Sequence, residues 1–259
     1  MEKTIVVKIG GSTLGNHDTT LEDLVALQKK GIPLVVVHGG AKKVTEWLQR
    51  QGTNSTFIDG LRVTDEKALE MVSAVLGGLV NTELVAAINL LGGKAVGMTG
   101  VDGNLIEGKI QNPRLGYAAK IVKVNPGMVE AVMGGGFMPI ITPPCAKAPD
   151  EAAEVFYLNV NGDDMASALA AALGAERVIF LTDVEGIRDG GGKLIPRLTA
   201  AEVESLMATG VISGGMIPKA QAALSALKAT PLVQIIDGRL PHALLGAIEG
   251  KTTGTTIRS

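Results

Sequence analysis

Short apolar segments alternate with helix-forming segments along almost the whole of this chain. Apolar runs with the length and composition of buried strands occur at residues 4–7, 34–37, 95–98, 121–124, 138–142, 178–181 and 232–236. They show little polar alternation, which is typical of strands that are buried on both faces of a sheet. Because such runs alternate with helices, the sequence predicts an α/β fold with an open, mostly parallel sheet covered by helices on both sides.

The segments between the apolar runs carry signals for the start and the end of helices. Residues 19–22 and 199–202 have the Thr-x-x-Glu pattern of a capping box. Helices that begin there are expected to end at Gly31 and Gly210, because glycine readily terminates a helix. An Asn-Pro pair at 125–126 predicts a further helix start.

The composition excludes several classes of function. The net charge of −2 provides no basic excess for binding nucleic acid, so we expect no such partner. Cys145 is the single cysteine, which excludes an internal disulfide and a multi-cysteine metal site. No uninterrupted apolar run approaches the ~18 residues of a membrane span, and a strand pattern begins too early for a signal peptide. We therefore expect a cytoplasmic protein without a membrane partner.

The 259 residues are enough for one large domain or for two lobes. A stretch rich in Pro, Ala and acidic residues at 143–155 has the composition of a loop or crossover. We therefore predict one domain over residues 1–259, with an N-terminal lobe of about residues 1–150 and a C-terminal lobe of about residues 151–259.

Two lysines lie beside paired glycines at places where strands or loops meet helices. Lys8 precedes Gly10-Gly11 at the end of the first apolar run, and Lys219 follows Gly214-Gly215 at the start of a helix. Exposed backbone N–H groups next to a cation suit a phosphorylated ligand. The P-loop pattern G-x-x-x-x-G-K-[ST] is absent from the sequence. Paired lysines of this kind fit phosphoryl transfer better than hydrolysis.

Several polar residues have both a functional and a structural interpretation. His38, before Gly39-Gly40, is either a general base or, more commonly at such a position, a hydrogen-bonded structural residue. Arg62 either binds a substrate carboxylate with its guanidinium or lies on the surface. Asn159 and Asn161 point to one side of an extended segment, or they form a turn and a helix cap.

Taken together, the motifs resemble the amino-acid kinase family, and within it the members that phosphorylate N-acetylglutamate. The matching segments are Val-Val-Lys-Ile-Gly-Gly (6–11), His-Gly-Gly (38–40), Gly-Leu-Arg-Val-Thr-Asp (60–65), Leu-Val-Asn (79–81), Asn-Val-Asn (159–161), Leu-Thr-Asp-Val (181–184), Gly-Gly-Met-Ile-Pro-Lys (214–219) and Asp-Gly-Arg (237–239). The resemblance implies a three-layer α/β/α sandwich around a mostly parallel sheet. It also implies phosphorylation of the side-chain carboxylate of N-acetyl-L-glutamate by ATP with Mg²⁺, giving N-acetyl-L-glutamyl 5-phosphate for arginine biosynthesis.

The same resemblance implies roles for particular residues. The N-terminal lobe would bind the acyl amino acid and form a homodimer, and the C-terminal lobe would bind ATP. Lys8 and Lys219 would stabilise the transferring phosphoryl group, and Asp163 would hold both lysines. The expected substrate contacts are Gly40, Ala41, Arg62, Asn159 and Asn161. The expected ATP contacts are Gly10, Gly11, Asp183, Gly186, Ile187, Arg188, Val211, Ile212 and Ser213, and no protein metal site is expected.

Some residues depart from this resemblance and leave alternatives open. Val101, Gly162 and the segment 142–144 lean toward related kinases that phosphorylate aminoadipate or glutamate attached to a small carrier protein. The intact segment 60–65 favours free acetylglutamate instead. A non-catalytic amino-acid or nucleotide-binding regulator is a further alternative, although a sensor has no need of both lysines and Asp163. Arginine-inhibited members carry an extra N-terminal helix, so we expect a dimer that arginine does not inhibit.

Overall fold

An 11-stranded sheet runs through the structure, a computed structural model that describes residues 4–11, 19–251 and 254–258. The strands are β1 (Ile5–Ile9), β2 (Leu34–His38), β3 (Phe57–Ile58), β4 (Leu61–Arg62), β5 (Ala95–Gly100), β6 (Ile106–Ile110), β7 (Ala119–Val124), β8 (Met138–Lys147), β9 (Tyr157–Asn159), β10 (Arg177–Thr182), β11 (Arg197–Thr199), β12 (Leu232–Asp237) and β13 (Thr255–Arg258). The helices are α1 (Thr20–Lys29), α2 (Ala41–Arg50), α3 (Glu66–Val72), α4 (Asn81–Leu90), α5 (Gly127–Gly134), α6 (Gly162–Ala172), α7 (Ala200–Ala208), α8 (Met216–Leu227) and α9 (Ala243–Ile248).

The sheet is mixed, with parallel pairing through its centre and between the edge strands β11 and β13, and antiparallel pairing elsewhere toward the edges. Its strand order is β11-β13-β12-β10-β1-β2-β8-β6-β7, and β5 and β9 also pair with β8. The pairs β10–β1, β1–β2 and β2–β8 are parallel, whereas β12–β13, β6–β7 and β8–β9 are antiparallel. The predicted fold class is therefore confirmed. The small hairpin of β3 and β4 forms a separate two-stranded sheet.

Alternate side chains of the central strands divide the core into two layers. Ile5, Val7 and Ile9 pack with residues of α1–α4 and α9, whereas Val6 packs on the opposite face with residues of α5–α8. A strand with apolar residues at every position is buried on both faces, which requires helices on both sides. The three layers thus follow from the uninterrupted apolar runs of the sequence.

The parallel strands bring several loops to one edge of the sheet. Gly10 lies at the carboxyl end of β1 and donates a hydrogen bond from its N–H to the carbonyl of Leu181, 3.0 Å away, in β10. On the other side of β1, Ile9 pairs with His38 at the end of β2. The loops after β10, β1 and β2 are therefore neighbours, and ligands of open α/β sheets bind at such an edge.

The sequence predicts a loop at 143–155, and the first part of this prediction is wrong. The strand β8 continues through Pro143 and Pro144 to Lys147. Thr142 pairs with Thr99 of β5, and Cys145 pairs with Gly100, so two extra residues of β8 lie between successive pairs. Proline has no N–H to donate, but a bulge leaves residues out of the ladder and can accommodate it. Pro143 and Pro144 therefore mark a bulge inside β8 and not the end of this strand.

One long helix has a composition that would also fit a membrane. Residues Glu66–Leu90 form a continuous helix with a mean hydropathy of 1.7 in its most apolar window. Its middle part, Ser73–Val80, is π-helical, and Val72, Leu76 and Val80 are buried in the core on the α1 side of the sheet. The buried face shows that this helix packs on the sheet of a globular domain.

One of the two predicted capping boxes is present. At α7, the Thr199 hydroxyl accepts from the Glu202 N–H, while the Glu202 carboxylate accepts from the Thr199 N–H. At α1, the prediction is wrong: the Thr19 hydroxyl accepts instead from the N–H of His242, at 2.6 Å. This bond and the carboxylate of Asp23 tie α1 to the start of α9.

Asp23 provides a test of this connection between the first and the last helix. Its side chain is 1% exposed, and it accepts from His242 Nδ1 at 2.7 Å and from the Leu245 N–H at 3.1 Å. Replacing Asp23 by Ala removes both bonds and is expected to lower the free energy of unfolding by about 2 kcal/mol. Urea denaturation at pH 7 measures the change. The control Glu22→Ala, at the exposed neighbouring position, is expected to change stability by less than about 0.5 kcal/mol, and equal effects would contradict the role of Asp23.

Candidate active site

A cleft of about 250 Å³ opens at the carboxyl edge of the sheet. Its walls include many of the residues predicted from the sequence to bind substrate or to act in catalysis: Lys8, Gly11, Gly40, Ala41, Arg62, Asn159, Asn161 and Asp163. They come from the ends of β1, β2 and β9, from the β3–β4 hairpin and from the start of α6. Segments distant in sequence thus form one site.

Two glycine loops meet backbone to backbone at the floor of the cleft. A Cβ atom on Gly11 would lie 2.8 Å from the Cα of Gly40, and a Cβ atom on Gly40 would lie 2.6 Å from Leu76 Cδ2. A side chain at Gly11 would therefore force the loops apart, and one at Gly40 would displace the Leu76 side chain. The contact places the backbones of both loops at the same point, beside Lys8. Ser12, the next residue of the first motif, lies outside the described residues.

Lys8 and Asp163 form an ion pair inside the cleft. Lys8 Nζ lies 2.6 Å from Asp163 Oδ1, and the two side chains are 13% and 15% exposed. Lys8 belongs to β1, and Asp163 belongs to the first turn of α6, where a negative charge is favoured by the helix dipole. Because the pair is largely removed from water, the lysine is held in one place and stays close to the glycine loops.

The two predicted asparagines have different structural roles. Asn161 caps α6, because its Oδ1 accepts from the Asp163 N–H at 2.7 Å. Asn159 Nδ2 donates to the Thr64 hydroxyl at 3.1 Å and so connects β9 to the loop after β4. Both residues line the cleft. The cap fixes Asp163 at the helix start and therefore supports the ion pair with Lys8.

Arg62 is 8% exposed and is held by oxygen atoms from three directions. Its Nη2 donates to the carbonyl of Ala41 at 2.8 Å and to the Thr45 hydroxyl at 2.9 Å, and its Nη1 donates to the Ser55 hydroxyl at 2.5 Å. The ring of Phe57 lies 4.8 Å from the guanidinium carbon. Burial lowers the pKa of Arg62, yet a guanidinium stays charged at neutral pH. The cleft therefore holds a fixed cation that suits an anionic ligand group.

His38 is a buried, neutral residue next to the cleft. Its Nδ1 lies 2.9 Å from the carbonyl oxygen of Gly39, which can only accept, so the ring proton is on Nδ1. Its Nε2 then accepts from Asn81 Nδ2 at 3.0 Å. Burial, aided by the charge of Lys8, lowers the pKa of His38 to about 4. The structural interpretation of this histidine is therefore supported.

Lys219 does not line the cleft, but its helix starts close to it. It lies in the first turn of α8, and a Cβ atom on Gly60 of the hairpin would be 3.2 Å from Cγ of the preceding residue, Pro218. None of the ion pairs of the described residues includes Lys219. The predicted bond between Asp163 and a second lysine is therefore not present in this structure.

The residues predicted to bind the nucleotide come from three places: the loop after β10, the segment after α7, and Gly10 and Gly11 after β1. Asp183 follows β10 directly, and its charge acts on Arg239 after the neighbouring strand β12. Ile187 and Ile212 are 1% and 3% exposed and belong to the core, so their side chains pack inward. The remaining predicted members of this group, which do not line the cleft, are Gly10, Gly186, Arg188, Val211 and Ser213.

The loop of this region is fastened to the last strand. Thr255 is fully buried, and its hydroxyl accepts from the Ile187 N–H at 2.8 Å and donates to the Ile195 carbonyl at 2.7 Å. Arg188 is engaged by the Glu185 carboxylate at 2.8 Å and by the Gly192 carbonyl at 2.6 Å. The loop is therefore shaped by contacts that its own sequence does not reveal.

Some residues of the cleft are absent from the sequence prediction. Phe57, Gln111 and Lys120 line it, from the β3–β4 hairpin, the end of β6 and the start of β7. These elements are short or lie next to turns, and no motif marks them. Lys120 lies opposite Lys109 in the pairing of β6 with β7, where like charges are unfavourable, but this register is visible only in the structure.

The described residues contain no group of three or more His, Cys, Asp and Glu side chains that would hold a metal ion. Cys145 is fully buried, and burial raises the pKa of its thiol to about 12. The thiol is therefore inert at neutral pH.

The chain is similar along nearly its whole length to proteins of known name. The model of the family described as the amino acid kinase family matches residues 3–237. An acetylglutamate kinase of Dehalococcoides mccartyi is 40% identical, over 98% of this chain and 93% of that kinase, and one of Campylobacter curvus is 44% identical, over 94% and 86%. The structure of N-acetylglutamate synthase from Neisseria gonorrhoeae, complexed with coenzyme A and N-acetyl-glutamate, has a TM-score of 0.86 and 25% identity, over 99% of this chain and 59% of that one.

The buried His38 predicts a pH dependence of stability. Its ring ionises near pH 6.5 in the unfolded chain and only near pH 4 in the folded chain. Stability that is present above pH 6.5 is therefore lost as the pH falls from 6.5 to 4, and about 2 kcal/mol is expected to be lost between pH 7 and pH 5. Urea denaturation of the wild type and of His38→Gln at both pH values measures this difference. The contributions of all other titrating groups are common to the two proteins and cancel in the comparison. Identical pH dependences would contradict a buried neutral histidine.

Proposed function

The chain belongs to the amino acid kinase family, and from this premise we propose that it transfers the γ-phosphoryl group of ATP to the side-chain carboxylate of N-acetyl-L-glutamate. The product is N-acetyl-L-glutamyl 5-phosphate, and the step belongs to arginine biosynthesis. The observation that carries the proposal is the arrangement of the cleft. It combines a held lysine, two touching glycine loops and a buried arginine within one cavity.

The chemical difficulty of this reaction is the approach of two anions. The acceptor carboxylate is ionised at neutral pH and needs no general base. Lys8 and the backbone N–H groups of Gly11 and Gly40 neutralise charge on the phosphoryl group as it moves, and such fixed dipoles act most strongly where water is excluded. Asp163 keeps Lys8 in position. Lys219, at the start of α8, stabilises the same group from the side of the donor.

The acceptor is oriented by the opposite wall of the cleft. Arg62 binds its α-carboxylate, because the guanidinium is buried, charged and already fixed by neighbouring oxygens. Asn159 and Asn161 contact the acceptor through their amides, and Ala41 offers its N–H at the start of α2. The pre-formed arrangement lowers the entropy that is lost when the two substrates are brought together.

The nucleotide occupies the neighbouring region after β10. Asp183, Gly186–Arg188 and Val211–Ser213 surround it, and Gly10 and Gly11 contact its phosphates. Mg²⁺ bound together with ATP would supply further charge neutralisation. The absence of a cluster of metal-ligating side chains among the described residues is compatible with this mode. The lobe of about residues 1–150 thus provides most of the acceptor contacts, and that of about residues 151–259 most of the nucleotide contacts. Asn159 and Asn161, on the acceptor, and Gly10 and Gly11, on the phosphates, are the exceptions.

We further propose that the enzyme is a cytoplasmic homodimer whose subunits meet through the N-terminal lobe. Part of the long apolar helix Glu66–Leu90 faces outward, and Leu90 is 91% exposed. An apolar surface of this kind is stabilised when a second copy covers it.

The proposed reaction is tested by ATP consumption with N-acetylglutamate, glutamate and aminoadipate as acceptors, with hydroxylamine to trap an acyl phosphate. We expect turnover and a trapped hydroxamate with N-acetylglutamate, because Arg62 suits a free α-carboxylate. Turnover with none of the three would favour the carrier-linked acceptor, which is then tested with the carrier-attached amino acids. No turnover with those as well would favour the non-catalytic regulator.

The two lysines are tested by single substitutions. Lys8→Ala and Lys219→Ala are each expected to lower kcat about 100-fold or more, since charge stabilisation in the transition state is lost. The KM for N-acetylglutamate is expected to change much less. Steady-state kinetics with both substrates measure the effects, and Lys228→Ala, at the other end of α8, serves as the matched control. Wild-type kcat in either variant would refute the role of that lysine.

A further inference from the structure

His38 is a buried titratable residue that the proposed reaction does not use. It is 0% exposed, and both of its ring nitrogens have partners. Nδ1 donates to the carbonyl of Gly39, which precedes the glycine whose backbone meets Gly11. A buried histidine that hydrogen-bonds the backbone of a loop lining the cleft is in a position to orient that loop.

The hydrogen bond from His38 fixes one peptide plane of the cleft. The described residues contain no cis peptide bond, so the carbonyl of Gly39 and the N–H of Gly40 point in opposite directions. The carbonyl is turned toward the His38 ring, and the N–H is therefore turned away from it. Among the described residues, the Gly40 N–H has no hydrogen-bond partner, and Gly40 lines the cleft. The imidazole thus determines where this donor points.

Asn81 fixes the imidazole in turn. Its Nδ2 donates to His38 Nε2 at 3.0 Å and to the carbonyl of Ile140 in β8 at 2.9 Å. Two acceptors on one nitrogen settle the orientation of the amide. A ring nitrogen that accepts from Asn81 cannot carry a proton, so the proton is confined to Nδ1. Asn81 therefore selects the tautomer that donates to Gly39.

The π-helical segment Ser73–Val80 delivers these contacts to the glycine loop. Asn81 is the first residue after it, and Leu76, within it, lies against Gly40. π-helical turns occur most often at functional sites. One irregular segment thus sets both the packing and the hydrogen bonding of the loop.

We propose that Asn81 and His38 are positioning residues that aim the N–H of Gly40 at the phosphoryl group or at the acceptor carboxylate. The proposal rests on the proposed kinase function and deepens it. It assigns no chemical step to the histidine: the ring transfers no proton and holds one on Nδ1.

Two substitutions of His38 separate the two bonds of its ring. An Asn side chain places an amide near the position of Nδ1, and a Gln side chain places one near the position of Nε2. His38→Asn therefore keeps a donor for Gly39, whereas His38→Gln keeps only a partner for Asn81. We expect His38→Gln to lower kcat about 10- to 100-fold and His38→Asn to retain most of the kcat, with small changes of KM for ATP in both. If the kcat values of the two variants instead rank in the same order as their melting temperatures, the proposal is overturned.

Asn81→Leu tests the second positioning residue, with Asn89→Leu as the matched control. Asn89 lies two turns further along α4 and bonds the backbone of Ala95, away from the cleft, with its Oδ1 2.7 Å from the Ala95 nitrogen. We expect both variants to lower the melting temperature, but only Asn81→Leu to lower kcat, again about 10-fold or more. Equal kcat values for the two variants would show that Asn81 has a merely structural role.

A measurement that does not depend on turnover distinguishes failure of the positioning role from failure of the kinase function. Long-range ¹H–¹⁵N correlation spectra of the wild type, labelled at histidine and assigned with His38→Asn, report the ring tautomer. A ring protonated on Nδ1 alone at pH 7 is the expected result. A ring protonated on Nε2 would overturn the proposal, whether or not the protein phosphorylates N-acetylglutamate. Absence of turnover in the wild type would instead refute the kinase function.

Discussion

The contact between the backbones of Gly11 and Gly40 is the constraint on which the rest of the site depends. Neighbouring parallel strands are about 4.8 Å apart, and a Cβ atom on Gly11 would lie 2.8 Å from the Cα of Gly40. The loops that follow β1 and β2 can therefore touch here because residue 11 has no side chain. Their contact brings peptide groups of both loops to one point, and no flexible side chain has to be ordered to do so. The sheet therefore supplies the geometry, and the glycines make that geometry accessible to a ligand.

Charge is then placed around this point by elements of different types. Lys8 comes from a strand, Asp163 from a helix start, and Arg62 from a short hairpin. Lys8 and Asp163 are 13% and 15% exposed, so the lysine has lost much of its hydration and its charge is less screened than in water. The asparagine cap of α6 and the oxygens around Arg62 restrict these groups before a substrate arrives. Pre-organisation of this kind is what phosphoryl transfer requires of a protein.

The strand and helix alternation was predictable from the sequence, because apolar runs are local signals. Eight of the 24 residues that line the cleft were also named from the sequence, several of them beside glycine pairs. The continuation of β8 through Pro143 and Pro144 was not, since a bulge depends on the neighbouring strand β5. The pairing of His38 with Asn81 was equally hidden: the residues are 43 positions apart, and only the fold brings them together. Asn161 shows that a helix cap and a cleft residue can be the same side chain.

The proximity of Gly60 to Pro218 has a consequence for how two ligands would affect each other. The hairpin that carries Arg62 lies against the first turn of α8, which carries Lys219. If a ligand bound at the hairpin favours this contact, the affinity for a ligand bound at the start of α8 must rise by the same free energy, because linkage is reciprocal. The ligands of the two parts of the chain would then bind with positive cooperativity through the approach of the hairpin to α8.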